Sequence, residues 1–245
     1  MVTKNQIKLI KSLHQKKYRK VHQLFIAEGY KVIQELLASD FTLESLYCTE
    51  TLDFSVDDNR MVKVSNDDMK KMSALSSTSN CLAVFHCGKE LALSFDNLVV
   101  ALDDVRDPGN LGTIIRLCDW FGIKHLICSS ETVDIYNPKV VQATMGSITR
   151  VNVVYGDLLE LLSSRGGGIP VFGTFMNGRN IYQEKLPTRG VIVMGNEANG
   201  ISPIIESHVD QRLTIPRFGD LQQTESLNVA MATSIILSEF KRSSL

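Results

Sequence analysis

Three segments of the 245-residue chain pair polar side chains able to act on a substrate with the turn-forming residues that would hold them past the end of a strand. The first runs Asp103-Asp104-Val105-Arg106-Asp107-Pro108-Gly109-Asn110-Leu111-Gly112-Thr113-Ile114-Ile115-Arg116. Pro108-Gly109 forces a turn, Asn110 can cap the helix that follows, and Arg116 lies six residues further along that helix. Taken alone, the segment reads equally well as a capped helix with one surface arginine. The second, Met194-Gly195-Asn196-Glu197-Ala198-Asn199-Gly200-Ile201-Ser202, ends a β-branched run with bare backbone amides and a carboxylate, and its glycine allows a ligand close to the main chain. Without a ligand, Glu197 would be a solvated loop acid. The third joins Leu213-Thr214-Ile215-Pro216-Arg217-Phe218 to Thr224-Glu225-Ser226-Leu227-Asn228-Val229-Ala230. Ser226 is a natural helix N-cap, whereas Asn228 is a poor residue for a first helical turn, which invites a functional explanation.

What the chain lacks narrows the chemistry further. There is no G-x-G-x-x-G after a strand and no G-x-x-x-x-G-K-[ST], so dinucleotide binding and P-loop hydrolysis lose their sequence support. A Rossmann-type methyltransferase is disfavoured for the same reason. His14, His22, His86, His125 and His208 fall outside the three segments and form no metal-ligand spacing, so no metal site is expected. Cys48, Cys81, Cys87, Cys118 and Cys128 are odd in number and contain no C-x-x-C pair, which fits free, mostly buried thiols. Catalysis is left to Arg, Asn, Glu and Ser.

The elements that must position these residues follow from length and pattern. At 245 residues, 44% hydrophobic and 22% charged, the chain has the composition of one or two ordinary globular domains. No stretch approaches the roughly 20 apolar residues of a bilayer span and no signal peptide is legible, so a cytoplasmic protein is expected. The first third begins with a basic helix over 4–22, with Ile7, Ile10 and Leu13 on its apolar stripe, and a second helix over 28–38. Short strands follow at 45–48 and 61–64, a helix opens at Ser65, and an apolar run spans 81–86. From residue 97 the texture changes. Runs at 99–102, 126–128, 151–154, 171–174 and 191–194 read as buried parallel strands, alternating with helices over 111–121, 138–148, 158–164 and 226–240. The prediction is a smaller N-terminal α+β domain over 1–92 and an α/β domain with a mostly parallel sheet over 93–245. Ligands of such sheets bind beyond the carboxyl ends of the strands, where all three segments fall.

The residues together resemble the SpoU, or TrmH, family of RNA ribose 2'-O-methyltransferases within the SPOUT superfamily. Asp107 to Arg116 is similar to its first motif, Met194-Gly195-Asn196-Glu197 to its second, and Ile215-Pro216 with Ser226-Leu227-Asn228-Val229-Ala230 to its third, in the family's order. Phe25-Ile26-Ala27-Glu28-Gly29, after the basic helix, resembles the start of the small substrate-binding domain often fused to these enzymes, itself similar to ribosomal RNA-binding proteins. The resemblance implies a trefoil-knotted C-terminal domain, a homodimer, and S-adenosylmethionine as methyl donor. It assigns Arg116, Asn110, Glu197, Ser226 and Asn228 to the catalytic site. Thr174, Gly195, Asn196, Ile215, Pro216 and Leu227 would hold the cofactor, largely through backbone groups. Arg116 would take the hydroxyl proton or fix the adjacent phosphate, and the second role is physically easier because a guanidinium stays protonated. Ala198-Asn199, Arg217 and the longer approach Asp220-Leu221-Gln222-Gln223 depart from the family's pattern and bear on loop shape and substrate fit.

Charge gives the arm a role. Residues 1–20 hold seven cations and no acid, which against a net charge of −1 leaves −8 on the remainder. Lys11, Lys16, Lys17, Arg19 and Lys20 are therefore candidate phosphate contacts, the alternative being a solvated helix face. Sequence-specific readout of RNA favours unstacked loops, and the family resemblance with its fused domain implies a structured ribosomal RNA loop as the partner in preference to a tRNA loop. A non-catalytic RNA-binding or ribosome-assembly protein and a base methyltransferase are the competing readings. The intact Asn110, Arg116, Ser226 and Asn228 weigh against the first, and their ribose-type pattern against the second.

Overall fold

The computed structural model describes residues 2–219 and 226–242. The chain forms two units: one runs to Lys89 and takes in Asp134–Thr149, and the other comprises Glu90–Val133 and the rest from Arg150. The sequence pattern suggests a single cut after residue 92, so the second contribution to the first unit is visible only in the fold.

The first unit opens with α1 (Lys4–Ser12), α2 (Lys16–His22), β1 (Leu24–Glu28), α3 (Tyr30–Leu37), β2 (Leu43–Cys48), β3 (Met61–Lys63), α4 (Asn66–Met72) and β4 (Cys81–His86). Its sheet has the order β1-β4-β2-β3. Alternate residues of β1 serve two cores: Leu24 and Ile26 pack with Ile10, Leu13, Met69 and Met72, while Phe25 stacks against Phe85 and meets Phe41 edge-on. The single basic helix expected over 4–22 is two helices, broken at 13–15, where Gln15 adopts an extended backbone. Arg19 explains the break. Its Nη1 donates to the Leu13 and His14 carbonyls at 2.8 and 2.9 Å, satisfying main-chain acceptors that the end of α1 leaves open. The second helix starts at Tyr30 rather than Glu28. Glu28 closes β1 instead, buried, and accepts from the Ser73 hydroxyl at 2.6 Å and the Ala74 amide at 2.8 Å.

The second unit contains β5 (Leu98–Leu102), α5 (Pro108–Trp120) and β6 (His125–Ser129). The next helix, α6 (Pro138–Thr144), packs with the first unit: the Tyr136 ring ahead of it lies 4.7 Å from that of Phe25, and Asp134 pairs with Arg19. The second unit then resumes with β7 (Asn152–Gly156), α7 (Leu158–Ser163), β8 (Val171–Asn180), β9 (Gly190–Met194), α8 (Pro203–Glu206), β10 (Gln211–Thr214) and α9 (Val229–Arg242). Its six strands are all parallel in the order β10-β8-β9-β5-β6-β7, the α/β architecture read from the sequence. Val99, Ala101, Ile127, Val171, Val191 and Val193 form the apolar layer from which the strand ends project. Among the described residues no helix is long and apolar enough to cross a membrane.

Candidate active site at the carboxyl ends of β5, β9 and β10

The N-terminus of α5 is capped by Asp107, whose Oδ1 accepts from the Asn110 amide at 2.8 Å, with Pro108 in the first turn. The sequence reading gave the cap to Asn110. Because the aspartate does that work, both ends of the Asn110 side chain are available elsewhere. Its Nδ2 donates to Glu197 Oε1 at 2.8 Å, and its Oδ1 accepts from Asn228 Nδ2 at 2.8 Å. Asn228 in turn caps α9, its Oδ1 accepting from the amides of Ala230 and Met231 at 2.9 and 3.2 Å. The helix therefore starts at Val229, and Asn228 rather than Ser226 is its cap. One residue from each of the three segments thus meets at a single point.

Ser226 and Leu227 are exposed beside this point, and Leu227 leaves 49% of its surface open although apolar. Arg116 is also exposed, without a hydrogen bond to any described residue. Six residues along a helix turn it about 120° from Asn110, so the fold does not bring it into the amide cluster.

The loop after β9 owes its shape to close backbone approach. A Cβ on Gly195 would overlap the Gly200 carbonyl carbon and the Ile201 nitrogen, so only glycine fits. Asn196 and Gly200 exchange backbone hydrogen bonds at 2.9 Å, and Asn196 Oδ1 accepts from the Ala198 and Asn199 amides. Its Nδ2 donates to the Asp104 carbonyl at 2.6 Å. Asn196, a candidate cofactor residue by resemblance, spends its side chain organising the loop.

Sequence reasoning missed two residues here. Buried Asp103 accepts from the Ser202 amide at 2.7 Å, tying β5 to the start of α8. Asp104 sits at φ +60°, where a short polar side chain is tolerated, and accepts from Arg106 Nε at 2.7 Å, which raises the pKa of that guanidinium. An Asp-Asp pair directly after a buried strand was the available signal.

The candidate cofactor residues Gly195, Ile215 and Pro216 directly follow β9 and β10, whereas Thr174, expected at a strand end from the run 171–174, lies inside β8, which continues to Asn180. Thr174 Oγ1 donates to the Val193 carbonyl at 3.0 Å, which commits its proton to holding β8 on β9. A Cβ on Gly178 would come within 2.7 Å of the Arg212 carbonyl oxygen, so β8 and β10 also meet backbone to backbone. The thiols offer no nucleophile: burial pushes Cys118 up to about 12, and Cys128 rises further for the same reason. Among the described residues no group of three or more His, Cys, Asp or Glu side chains could hold a metal.

In the first unit, Lys11, Lys16, Lys17 and Lys20 are exposed as expected of phosphate contacts. Arg19 is not. It is 3% exposed and its Nε and Nη2 donate to Asp134 Oδ2 at 2.9 and 2.6 Å. It is a structural cation, and the sequence could not tell it from its lysine neighbours.

Comparison with known proteins gives this geometry its context. Residues 97–238 match the SpoU rRNA Methylase family, and residues 4–83 match the MRM3-like substrate binding domain. The chain is 30% identical over 240 residues, covering 96% of it and 95% of the relative, to RlmP of Bacillus subtilis, a 23S rRNA guanosine 2'-O-methyltransferase. A putative RNA methyltransferase of the TrmH family from Porphyromonas gingivalis superposes with a TM-score of 0.88 at 38% identity, covering 99% of both chains. An AdoMet-bound rRNA methyltransferase from Sinorhizobium meliloti gives 0.85 at 27% identity, covering 100% of this chain and 97% of the other. With its three motifs converging on Asn110 and the family model matching residues 97–238, more than half of its length, the chain belongs to the SpoU rRNA methylase family.

Proposed function

We propose that the protein transfers a methyl group from S-adenosylmethionine to a ribose 2'-hydroxyl of ribosomal RNA. The observation that carries the reading is the Asn110 amide, which bonds Glu197 and Asn228 at once and so joins residues of all three motifs. The cofactor fits the residues present. The glycine-tight loop at Gly195 and the close approach of β10 to Gly178 of β8 bring main-chain groups together there, and half-exposed Leu227 offers apolar surface. Thr174, Gly195, Asn196, Ile215, Pro216 and Leu227 would hold it, and when bound it supplies an electrophilic methyl group.

The chain's own residues then have little covalent work to do. Asn110, Ser226 and Asn228 fix the ribose, Glu197 orients the Asn110 amide, and Arg116 holds the phosphate next to the reacting hydroxyl. Holding reactants in line supplies several kcal/mol of the barrier, and the proton released from the methylated hydroxyl leaves to solvent, to which the Asn110–Glu197–Asn228 cluster is open. The exposed Lys11, Lys16, Lys17 and Lys20 bind RNA phosphates. Ribosomal RNA is favoured over tRNA because RlmP, similar along nearly the whole chain, is an rRNA enzyme, whereas a tRNA guanosine 2'-O-methyltransferase of Aquifex aeolicus matches 60% of it.

We place the protein in the cytoplasm as a homodimer whose second unit, within 93–245, holds a trefoil knot. The non-sequential strand order and the close passage of β10 against Gly178 support the knot. Exposed Trp120 on α5 and Met231 on α9, at 85% and 60%, support the dimer. The test is transfer of labelled methyl from S-adenosylmethionine to RNA lacking the host's ribose methylations, followed by digestion to nucleosides. Label in a 2'-O-methylnucleoside of rRNA is expected. Cofactor binding with no labelled RNA would favour a non-catalytic assembly role.

A further inference from the structure

Tyr182, in the turn after β8, and Phe218, in the loop after β10, set two rings side by side with centroids 6.3 Å apart and planes inclined at 36°. Phe218 is 81% exposed and Tyr182 39%, so the pair is open to solvent rather than part of a core. The strands that lead into the two segments are tied to each other, the Thr214 hydroxyl donating to the Met176 carbonyl at 3.2 Å. Phe218 follows Pro216 by two residues, which keeps it within about 7 Å, Cα to Cα, of a candidate cofactor residue.

The two segments that carry the rings are richer in cations than in acids. Residues 176–189 and 211–219 contain Arg179, Lys185, Arg189, Arg212 and Arg217 against Glu184, with Asp210 and Asp220 at the borders of the second segment and Arg212 paired with Glu206, in a chain whose net charge is −1. Arg179 is exposed while reaching Glu184 at 3.6 Å, and Lys185 is exposed as well. Open aromatic faces on cation-rich segments match a polyanion that carries flat apolar groups. A protein partner would not need the excess of cations, and a lipid would not need two separate ring faces.

We propose that Tyr182 and Phe218 form a stacking platform for an unpaired base of the RNA substrate, beside the methyl-donor loops. The proposal rests on the RNA methyltransferase reading and adds to it which surface receives the splayed-out nucleotide. Stacking on an aromatic face is indifferent to base identity and holds a nucleotide out of its helix, which is what exposes a ribose hydroxyl to attack. The platform therefore contributes to RNA affinity and register, not to cofactor binding.

The test uses the full-length protein and a short single-stranded RNA carrying one 2-aminopurine, whose fluorescence is quenched on stacking. Phe218→Ala is expected to weaken binding roughly tenfold and, with Tyr182→Ala, to abolish the quench, while Phe218→Trp restores both. S-adenosylmethionine binding by calorimetry and the sedimentation mass should remain as in the unsubstituted chain. An unchanged RNA affinity and quench in Phe218→Ala would overturn the proposal. So would a fall to half the mass, which would assign the rings to contact with a second copy, or a loss restricted to cofactor binding. Failure of the unsubstituted chain to bind S-adenosylmethionine would instead remove the reading beneath the proposal, and the proposal with it.

Discussion

Asn228 donates its side-chain amide to the Asn110 carbonyl oxygen at 2.8 Å across 118 residues of sequence, and each of the two also takes part in the N-terminal turn of its own helix. The bond couples the first turn of α5 to the first turn of α9. A change at either amide therefore disturbs the placement of the other.

Asn110→Ala is expected to lower turnover on RNA by about 100-fold, the scale for losing a positioning group. Thermal stability should shift little, since the lost hydrogen bonds are exposed. Asn228→Ala should act similarly while also loosening the start of α9. The double variant should cost far less than the product of the two, as expected of residues that act as a unit. Multiplicative losses in steady-state kinetics would show that the amides work independently.

Arg116→Ala should reduce turnover about 100-fold or more while S-adenosylmethionine affinity, read by calorimetry, is retained. The side chain is exposed and makes no hydrogen bond to any described residue, so the protein should unfold at the same temperature. Unchanged turnover would remove Arg116 from the reaction.

The basic arm separates into two kinds of cation. Charge reversal at Lys16, Lys17 and Lys20 should weaken RNA binding and flatten its dependence on salt, by about 0.7 in log–log slope for each single-strand phosphate no longer neutralised. Arg19→Ala should instead destabilise the first unit by about 3–5 kcal/mol, because Asp134 and two carbonyls lose their partner in the interior. Denaturant unfolding and a salt titration of RNA affinity distinguish the two effects.

Gly195→Ala places a methyl group on the Gly200 and Ile201 backbone. The loop must open, with a stability loss of about 1–3 kcal/mol and cofactor binding weakened by an order of magnitude or more. Calorimetry with S-adenosylmethionine reads the second effect and thermal melting the first.

His125 carries a pKa below the usual imidazole value, chiefly through burial and then through Lys124, and its Nδ1 lies 3.2 Å from Asn152 Nδ2. The unfolded chain binds this proton first, so the contribution is complete above about 6.5 and is lost as pH falls from there toward the folded value. His125→Asn should flatten the stability curve in that window, measured by denaturant midpoints at successive pH values.

The sequence by itself determined the parallel α/β second half, the three loop segments, the mostly buried thiols and the basic character of the N-terminus. Each of these is written in a local pattern: β-branched runs at strand spacing, Pro-Gly and Gly-Asn turns, or a run of lysines. It also supplied the site residues through a motif resemblance whose family the comparisons bear out. What it could not supply is which partner each polar group takes. Asp107 and Asn110 are both good caps, and only the folded chain decides that the aspartate caps α5 while the amide reaches Glu197 and Asn228. Arg19 looks like Lys20 in one dimension, yet Asp134, distant in sequence, draws it into the interior and breaks the expected helix. Asp134–Thr149 joins the first unit because Phe25 and Arg19 offer it an apolar face and a charge partner. Hydrophobic periodicity is a local property, but the pairing of a polar group is settled by whichever partner the tertiary fold brings within about 3 Å when water is removed.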